Sequence, residues 1–194
     1  WVKRVNNSKE MKISKKPAEA ISHWKKLEGK RTLLRPLERS DLRRSLLWLT
    51  DPMINKYLSQ NFRDLTEEQE EKWFSYIQDS ETDIVFAILE KDSSDHIGNC
   101  SLNKIDHRNG RCELGIVIGE KDYWNKGFGS DAVNTLVSFA VEDLEIPTVR
   151  LNVYVYNRRA IKIYKKCGFK LIKVLKKDHL YNGKYWDTLI MEYD

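Results

Sequence analysis

The sequence predicts a single α/β domain, and three observations carry that reading. Apolar runs of strand length alternate with segments whose apolar residues recur at helical spacing. One junction between such a run and a helical segment holds two glycines bracketing a single residue, the layout of a backbone loop that cradles phosphate. The 194 residues suffice for one well-buried core and are too few for two comfortable ones.

The elements follow in order. Trp1 to about Gly29 is basic, weakly patterned and interrupted by Pro17, and it reads as an extension partly ordered through Trp24. The domain proper is read as residues 30–194. Arg31 to Leu37 is a short strand, after which Ser40 is expected to cap a helix carrying Leu42, Leu46, Leu47 and Leu49. Thr66 followed by Gln69 is a capping-box pattern for a second helix ending near Asp79. Ile84 to Leu89 is a buried strand, and Asp92 to Asp95 supplies a turn. His96 to Ile105 and Arg111 to Ile118 form two more strands around the hairpin signal Arg108-Asn109-Gly110. Ala132, Val133, Leu136, Val137, Ala140, Val141 and Leu144 share one helical face that Pro147 closes. Val149 to Tyr154 is a strand, Asn157 starts a helix, and Gly168 ends it as a left-handed cap. Phe169 to Leu175 and Trp186 to Tyr193 are final strands flanking the Asn182-Gly183 turn. The order is therefore strand, two helices, three meandering strands, helix, strand, helix and two strands.

Composition narrows the function classes. Hydrophobic residues make up 41% of the chain and aromatics 11%, which argues against disorder. No window approaches the roughly 18–20 apolar residues of a membrane span, and no secretory signal is visible, so a cytoplasmic location is expected. The chain opens on Trp1 rather than Met, which reads as a missing or processed start, with Met11 an alternative. Cys100, Cys112 and Cys167 show no metal or disulfide spacing and read as reduced thiols. The net charge of +5 invites a nucleic-acid partner, but the excess lies in Lys3 to Lys30 and Arg150 to Lys177 while Asn61 to Asp95 is acidic. No recognition helix or zinc finger accompanies it, so no nucleic acid is expected.

Two motifs carry chemistry. The first runs Gly115-Ile116-Val117-Ile118-Gly119 and, after a charged turn, Tyr123-Trp124-Asn125-Lys126-Gly127-Phe128-Gly129-Ser130. Glycines 127 and 129 let the backbone close on phosphate without a Cβ in the way, while Lys126 adds charge and Ser130 a donor. The second is Asn157-Arg158-Arg159-Ala160 followed by Tyr164, Cys167, Gly168 and Phe169. Gly127-x-Gly129-x-x-Ala132 also fits a dinucleotide fingerprint, but the following strand ends in Tyr154-Val155-Tyr156-Asn157 without the required carboxylate. No Gly-Lys-Ser/Thr follows, which excludes a P-loop.

The pair of motifs and the element order from Arg31 onward resemble the GNAT N-acetyltransferases. The resemblance implies a mixed central sheet of about seven strands with helices on both faces, and acetyl-CoA as cosubstrate with no metal. It implies that Ile116, Val117 and Ile118 line the pantetheine arm on a strand splayed from its neighbour. It implies that Trp124, Asn125, Lys126, Gly127, Phe128, Gly129 and Ser130 hold the pyrophosphate, and that Asn157, Ala160 and Tyr164 complete the site. Trp124 departs from the family's usual Arg or Gln, and this variant is similar to the ribosomal-protein alanine acetyltransferase subgroup. Asn157 also has the plainer role of helix cap.

Acetyl transfer needs a neutral amine, a polarised carbonyl and a proton for the departing thiolate. Tyr164 lies two helical turns after Asn157 on the same face, and the resemblance assigns it as the acid, since a phenol stays protonated at neutral pH. Glu113 matches the family's Glu before Gly115 and is expected as base, with solvent exposure or an Arg111 pair as the plainer reading. Cys167 is not needed as a nucleophile, because the family transfers directly in a ternary complex. The acceptor side is expected at Asn55 to Trp73 and His179 to Trp186. There Asp64, Glu67, Glu68, Glu70 and Glu71 suit a cation or merely complement a helix dipole. Tyr57, Phe62, Trp73, Tyr181 and Trp186 shape a pocket or fill core. The favoured acceptor is a protein N-terminal amine of the ribosomal-protein alanine type, the alternatives being a polyamine, an aminoglycoside or an amino sugar. A CoA-binding sensor without turnover is the non-enzymatic alternative, disfavoured by the retention of Tyr164 and Glu113. No membrane partner is expected, and a homodimer is one option the sequence leaves open.

Overall fold

The computed structural model describes residues 26–194; the expectations for Met11, Pro17 and Trp24 lie outside them. Eight strands form one sheet in the order β1-β2-β3-β4-β5-β6-β8-β7. They are β1 (Leu27–Glu28), β2 (Thr32–Pro36), β3 (Ile84–Glu90), β4 (His96–Asp106), β5 (Arg111–Ile118), β6 (Thr148–Tyr154), β7 (Lys170–Tyr181) and β8 (Lys184–Tyr193). Every neighbouring pair is antiparallel except β5 with β6. The sheet thus exceeds the expected seven strands by β1, a two-residue piece that pairs with β2 from within the segment read as an extension. The final hairpin is also longer than the sequence pattern indicated, because exposed lysines along β7 mask its alternation.

The helices are α1 (Leu42–Thr50), α2 (Pro52–Asn55), α3 (Glu67–Gln78), α4 (Phe128–Ser138) and α5 (Arg158–Lys166). Helices α1 to α3 cover one face of the sheet, where Trp73, Phe74 and Ile77 meet Val85, Ala87 and Leu89 of β3. On the same face Trp48, Leu49, Ile54 and Phe62 pack around Val117. The larger core lies on the other face, where Ala132, Val133, Leu136 and Val137 of α4 meet Leu102, Leu114, Leu151 and Met191. Helix α4 continues as a π turn, Phe139–Asp143, before the Pro147 connection.

Two expectations at α1 are corrected. Ser40 does not cap it; a 3-10 turn, Arg39–Asp41, precedes the helix, and the Glu38 N–H donates to Asp41 Oδ2 at 2.8 Å. Asp41 is held there by a bidentate pair with Arg35 at 2.7 and 2.8 Å, a partner on the preceding strand rather than within the helix. The buried face is Leu42, Ser45, Trp48 and Leu49, whereas Leu47 is exposed. Trp48 wins that face because Gly119 leaves room for its ring, and a Cβ there would fall 1.9 Å from an indole carbon. The Thr66 box stands as expected: Gln69 N donates to Thr66 Oγ1 at 3.3 Å, and Thr66 N donates to Gln69 Oε1 at 3.0 Å.

Candidate active site

Strands β5 and β6 pair only over Arg111–Glu113 and Thr148–Arg150, and beyond that they part. Each continues against its other neighbour, β5 with β4 and β6 with β8, so the gap between them is held open from both sides. A cavity of about 950 Å³ occupies the gap, walled by Leu114 to Ile118 of β5, by Leu151 to Val153 of β6 and by α5.

The glycine loop closes one end. Gly127 has φ +91° and caps α4, with only Arg31 carbons and nitrogen near the position of an added Cβ, at 3.9 Å. That backbone turn aims the first N–H groups of α4 outward, and the helix end adds its positive dipole. Ser130 Oγ donates to Gly127 O at 2.9 Å, so the hydroxyl braces the loop. Asp131 ties the loop to the sheet by accepting from the Lys30, Arg31 and Thr32 N–H groups at 2.9–3.0 Å. Asn125, Gly127, Gly129 and Ser130 line the cavity, as do Ile116, Val117, Ile118, Trp124, Asn157, Ala160, Tyr164 and Glu113. Lys126 and Phe128 do not. Lys126 is exposed with its carbonyl taken by Arg31, and the Phe128 ring packs edge-on to Tyr123 inside the core.

Trp124 is fixed by its Nε1, which donates to Ile118 O at 2.8 Å. The Arg159 guanidinium lies 3.8 Å over its ring, a cation–π contact that brings charge from α5 to the loop. Asn157 caps α5, accepting from Ala160 N at 3.2 Å. Tyr164, 8% exposed, presents to the cavity from α5, and burial followed by the neighbouring Cys167 pushes its phenol up. It is therefore neutral and able to donate at physiological pH. The Cys167 thiol, also raised by burial, donates to Ser130 O at 3.6 Å, while burial pushes Cys112 up to about 12. Neither has the stabilised thiolate of a nucleophile.

Glu113 lies where β5 and β6 begin to part. Its partner is Lys104, whose Nζ approaches Oε1 at 2.7 Å, whereas Arg111 turns to Asp106 at 3.5 Å. Opposite Glu113 in the β4–β5 ladder stands Asn103, 6% exposed, whose Nδ2 donates to Ser101 Oγ and whose Oδ1 has no hydrogen-bond partner. Asp83, Tyr76 and Thr82 extend this end of the cavity.

The acidic segment expected on the acceptor side does not line the cavity. Glu68 pairs with Lys72 at 2.6 Å, Glu71 with Arg39 at 3.4 Å, and Glu70 is buried at 1% exposure. Asp64 and Glu67 are exposed at the start of α3, where negative charge complements the helix dipole. Phe62 and Trp73 are core. Tyr57 lines the cavity and belongs, with Tyr181 and Trp186, to an aromatic cluster centred on Tyr156, in which Tyr181 stacks and Trp186 meets the ring edge-on. Sequence reasoning missed Lys104, Asn103 and Arg159. Only Arg159 had a local signal, since it stands two residues after Asn157 in the same short motif.

The chain matches the acetyltransferase (GNAT) domain model over residues 31–170. It is 28% identical over 166 residues to an uncharacterized N-acetyltransferase of Bacillus licheniformis, spanning 84% of this chain and 92% of that protein. It is 28% identical over 155 residues to the spermidine N(1)-acetyltransferase of Vibrio cholerae, spanning 80% and 88%. The crystal structure of spermidine N-acetyltransferase from Vibrio cholerae in complex with CoA and spermine superposes with TM-score 0.72 and 26% identity, over 84% of this chain and 94% of that one. A GNAT-family acetyltransferase from Bacillus anthracis superposes with TM-score 0.74 at 18% identity, over 87% and 97%, a likeness of fold alone.

Proposed function

The chain belongs to the GNAT acetyltransferases and is an acetyl-CoA-dependent N-acetyltransferase; from that premise we propose that its acceptor is an aliphatic polyamine. This moves the weight away from a ribosomal-protein N-terminus. The observation that carries the reading is one cavity shared by a phosphate-suited loop, a neutral phenol and a carboxylate. The polyamine assignment draws support from relatives named for spermidine in both sequence and structure. Glu113, whose pair with Lys104 is solvent-exposed, offers a cationic amine a carboxylate in the cavity. The Tyr123-Trp124-Asn125-Lys126-Gly127 variant keeps a peptide N-terminal amine as the second reading.

Acetyl-CoA supplies the activated acetyl group. Gly127, Gly129 and the start of α4 hold its pyrophosphate, with Arg159 adding charge from its seat on Trp124. The parted edge of β5 at Ile116 to Ile118 and the Asn157 side chain orient the pantetheine arm. Glu113 takes a proton from the acceptor ammonium, directly or through one water, and Tyr164 gives its proton to the leaving sulfur. No covalent enzyme intermediate is needed, in keeping with three buried thiols.

Mass analysis of products after separate incubations with spermidine, an Ala-initiated basic peptide and an aminoglycoside tests the acceptor. Monoacetyl-spermidine as the dominant product is expected. Acetylation of the peptide alone would return the reading to a protein N-terminus.

A further inference from the structure

Lys104 lines the same cavity and has no part in the mechanism above. This residue has φ +50° and lies within the register break of the β4–β5 ladder, between Asn103 and Asp106. A non-glycine residue with that backbone persists only where its surroundings hold it, and such positions gather at functional sites. Here the hold is explicit. The Lys104 N–H donates to Asp83 Oδ1 at 3.1 Å, and Asp83 Oδ2 is itself fixed by the Ser80 and Thr82 hydroxyls at 3.0 Å each. The next residue, Ile105, donates its N–H to Thr82 O at 2.8 Å. The result is a lysine whose ammonium meets Glu113 Oε1 at 2.7 Å, with Lys104, Glu113 and Tyr164 all lining one cavity.

We propose that Lys104 is an acetyl acceptor in its own right, so that the protein acetylates itself at this side chain when acetyl-CoA is bound and no amine occupies the acceptor end. The inference rests on the N-acetyltransferase reading above. A primary amine, a carboxylate in contact with it and a proton donor in the same cavity are what the transfer requires, and this chain carries all three. The side chains of Lys104 and Glu113 keep 63% and 40% of their exposure, so their pair is loosely held and opens readily.

Glu113 accepts one proton from the Lys104 ammonium and passes it to water. The neutral amine's lone pair forms the C–N bond to the acetyl carbon while the C–S bond breaks with its electron pair going to sulfur. Tyr164 protonates that sulfur and recovers a proton released by the nitrogen. The net change is one amide and one free thiol, with no redox partner. Acetyl-Lys104 carries no positive charge, so the modification also releases Glu113 from its ion pair.

Two further lysines, Lys162 and Lys166, line the cavity from α5, which makes the position of the label decisive. The experiment incubates the whole protein with acetyl-CoA alone and follows intact mass, then maps the acetyl group by peptide mass analysis. One acetyl group per chain on Lys104 is expected, at a rate independent of protein concentration and at least ten-fold slower in Tyr164→Phe. Excess spermidine should suppress it. Label on Lys162 or Lys166 instead, a rate rising with protein concentration, or an undiminished rate in Tyr164→Phe would overturn the proposal. Thiol release with an external amine but no label on Lys104 would overturn it while leaving the acetyltransferase reading intact. Neither thiol release nor label, despite bound acetyl-CoA, would overturn both.

Discussion

The guanidinium of Arg159 lies 3.8 Å over the indole of Trp124, so the first turn of α5 delivers a positive charge to a loop whose sequence lacks one at that position. The indole cannot drift, because its Nε1 is bound to the Ile118 carbonyl. Arg159→Leu should weaken CoA binding roughly ten- to a hundred-fold, the size expected for losing one charge-assisted contact of about 1.5–3 kcal/mol. Trp124→Leu should weaken it similarly, and the double variant should add little, since the two act as a unit. Calorimetric titration with CoA checks this; full additivity would separate the two residues.

Tyr164 is buried on the wall of the cavity, and its role turns on a single oxygen. Tyr164→Phe keeps the ring and its packing 5.9 Å from Phe169. Turnover should fall by roughly 10²–10⁴-fold with CoA affinity nearly unchanged. Steady-state rates beside binding titrations read both quantities, and unchanged turnover would remove Tyr164 from the mechanism.

Gly127 joins conformation to binding. At φ +91° a side chain is strained whatever space surrounds it. Gly127→Ala should cost about 1–2 kcal/mol of stability and weaken CoA binding as well, because the same backbone turn aims the loop's N–H groups. Denaturant unfolding together with CoA titration tests the linkage; lost stability with intact binding would show that the loop does not hold the phosphates.

Acid should loosen the α1 side of the sheet. His96 is 8% exposed, and burial holds it below the ordinary histidine value despite Asn99 at 2.8 Å and Asp41 at 3.4 Å. Arg35, paired with Asp41, opposes protonation further. The unfolded chain therefore takes up a proton near the ordinary histidine value of about 6.5 while the folded chain still resists. The contribution of neutral His96 is full above that value and is lost as pH falls through it toward the lower folded value. Thermal unfolding from pH 7.5 to 5.5 should show a falling Tm in the parent and a flatter profile in His96→Gln. Equal slopes would remove His96 as the cause.

Much of the fold was legible because its signals are local. The Thr66 box, the Asn157 cap, Gly168 at φ +92° and the α4 stripe each declare themselves within a few residues. The loop and the α5 cap that wall the cavity were legible for the same reason, since both are contiguous motifs. The acceptor end was not. Lys104 meets Glu113 through a break in strand register, and Asn103 faces Glu113 only because β4 and β5 pair as they do. Likewise the expected Ser40 cap gives way to Asp41, which holds the Glu38 N–H, and Trp48 takes its face because Gly119, distant in sequence, leaves it room. The acidic run at the start of α3 follows the helix-dipole alternative: a strong local pattern had a local purpose.

Direct transfer requires acetyl-CoA and the acceptor amine to be bound together at the parting of β5 and β6. The measurement that tests it most directly is free-thiol release from acetyl-CoA at crossed concentrations of acetyl-CoA and spermidine. The account predicts release that depends on spermidine, with double-reciprocal lines that intersect, as a ternary complex requires. Parallel lines would mean a covalent acetyl-enzyme and contradict direct transfer, and release indifferent to any amine would contradict acetyl transfer at this site.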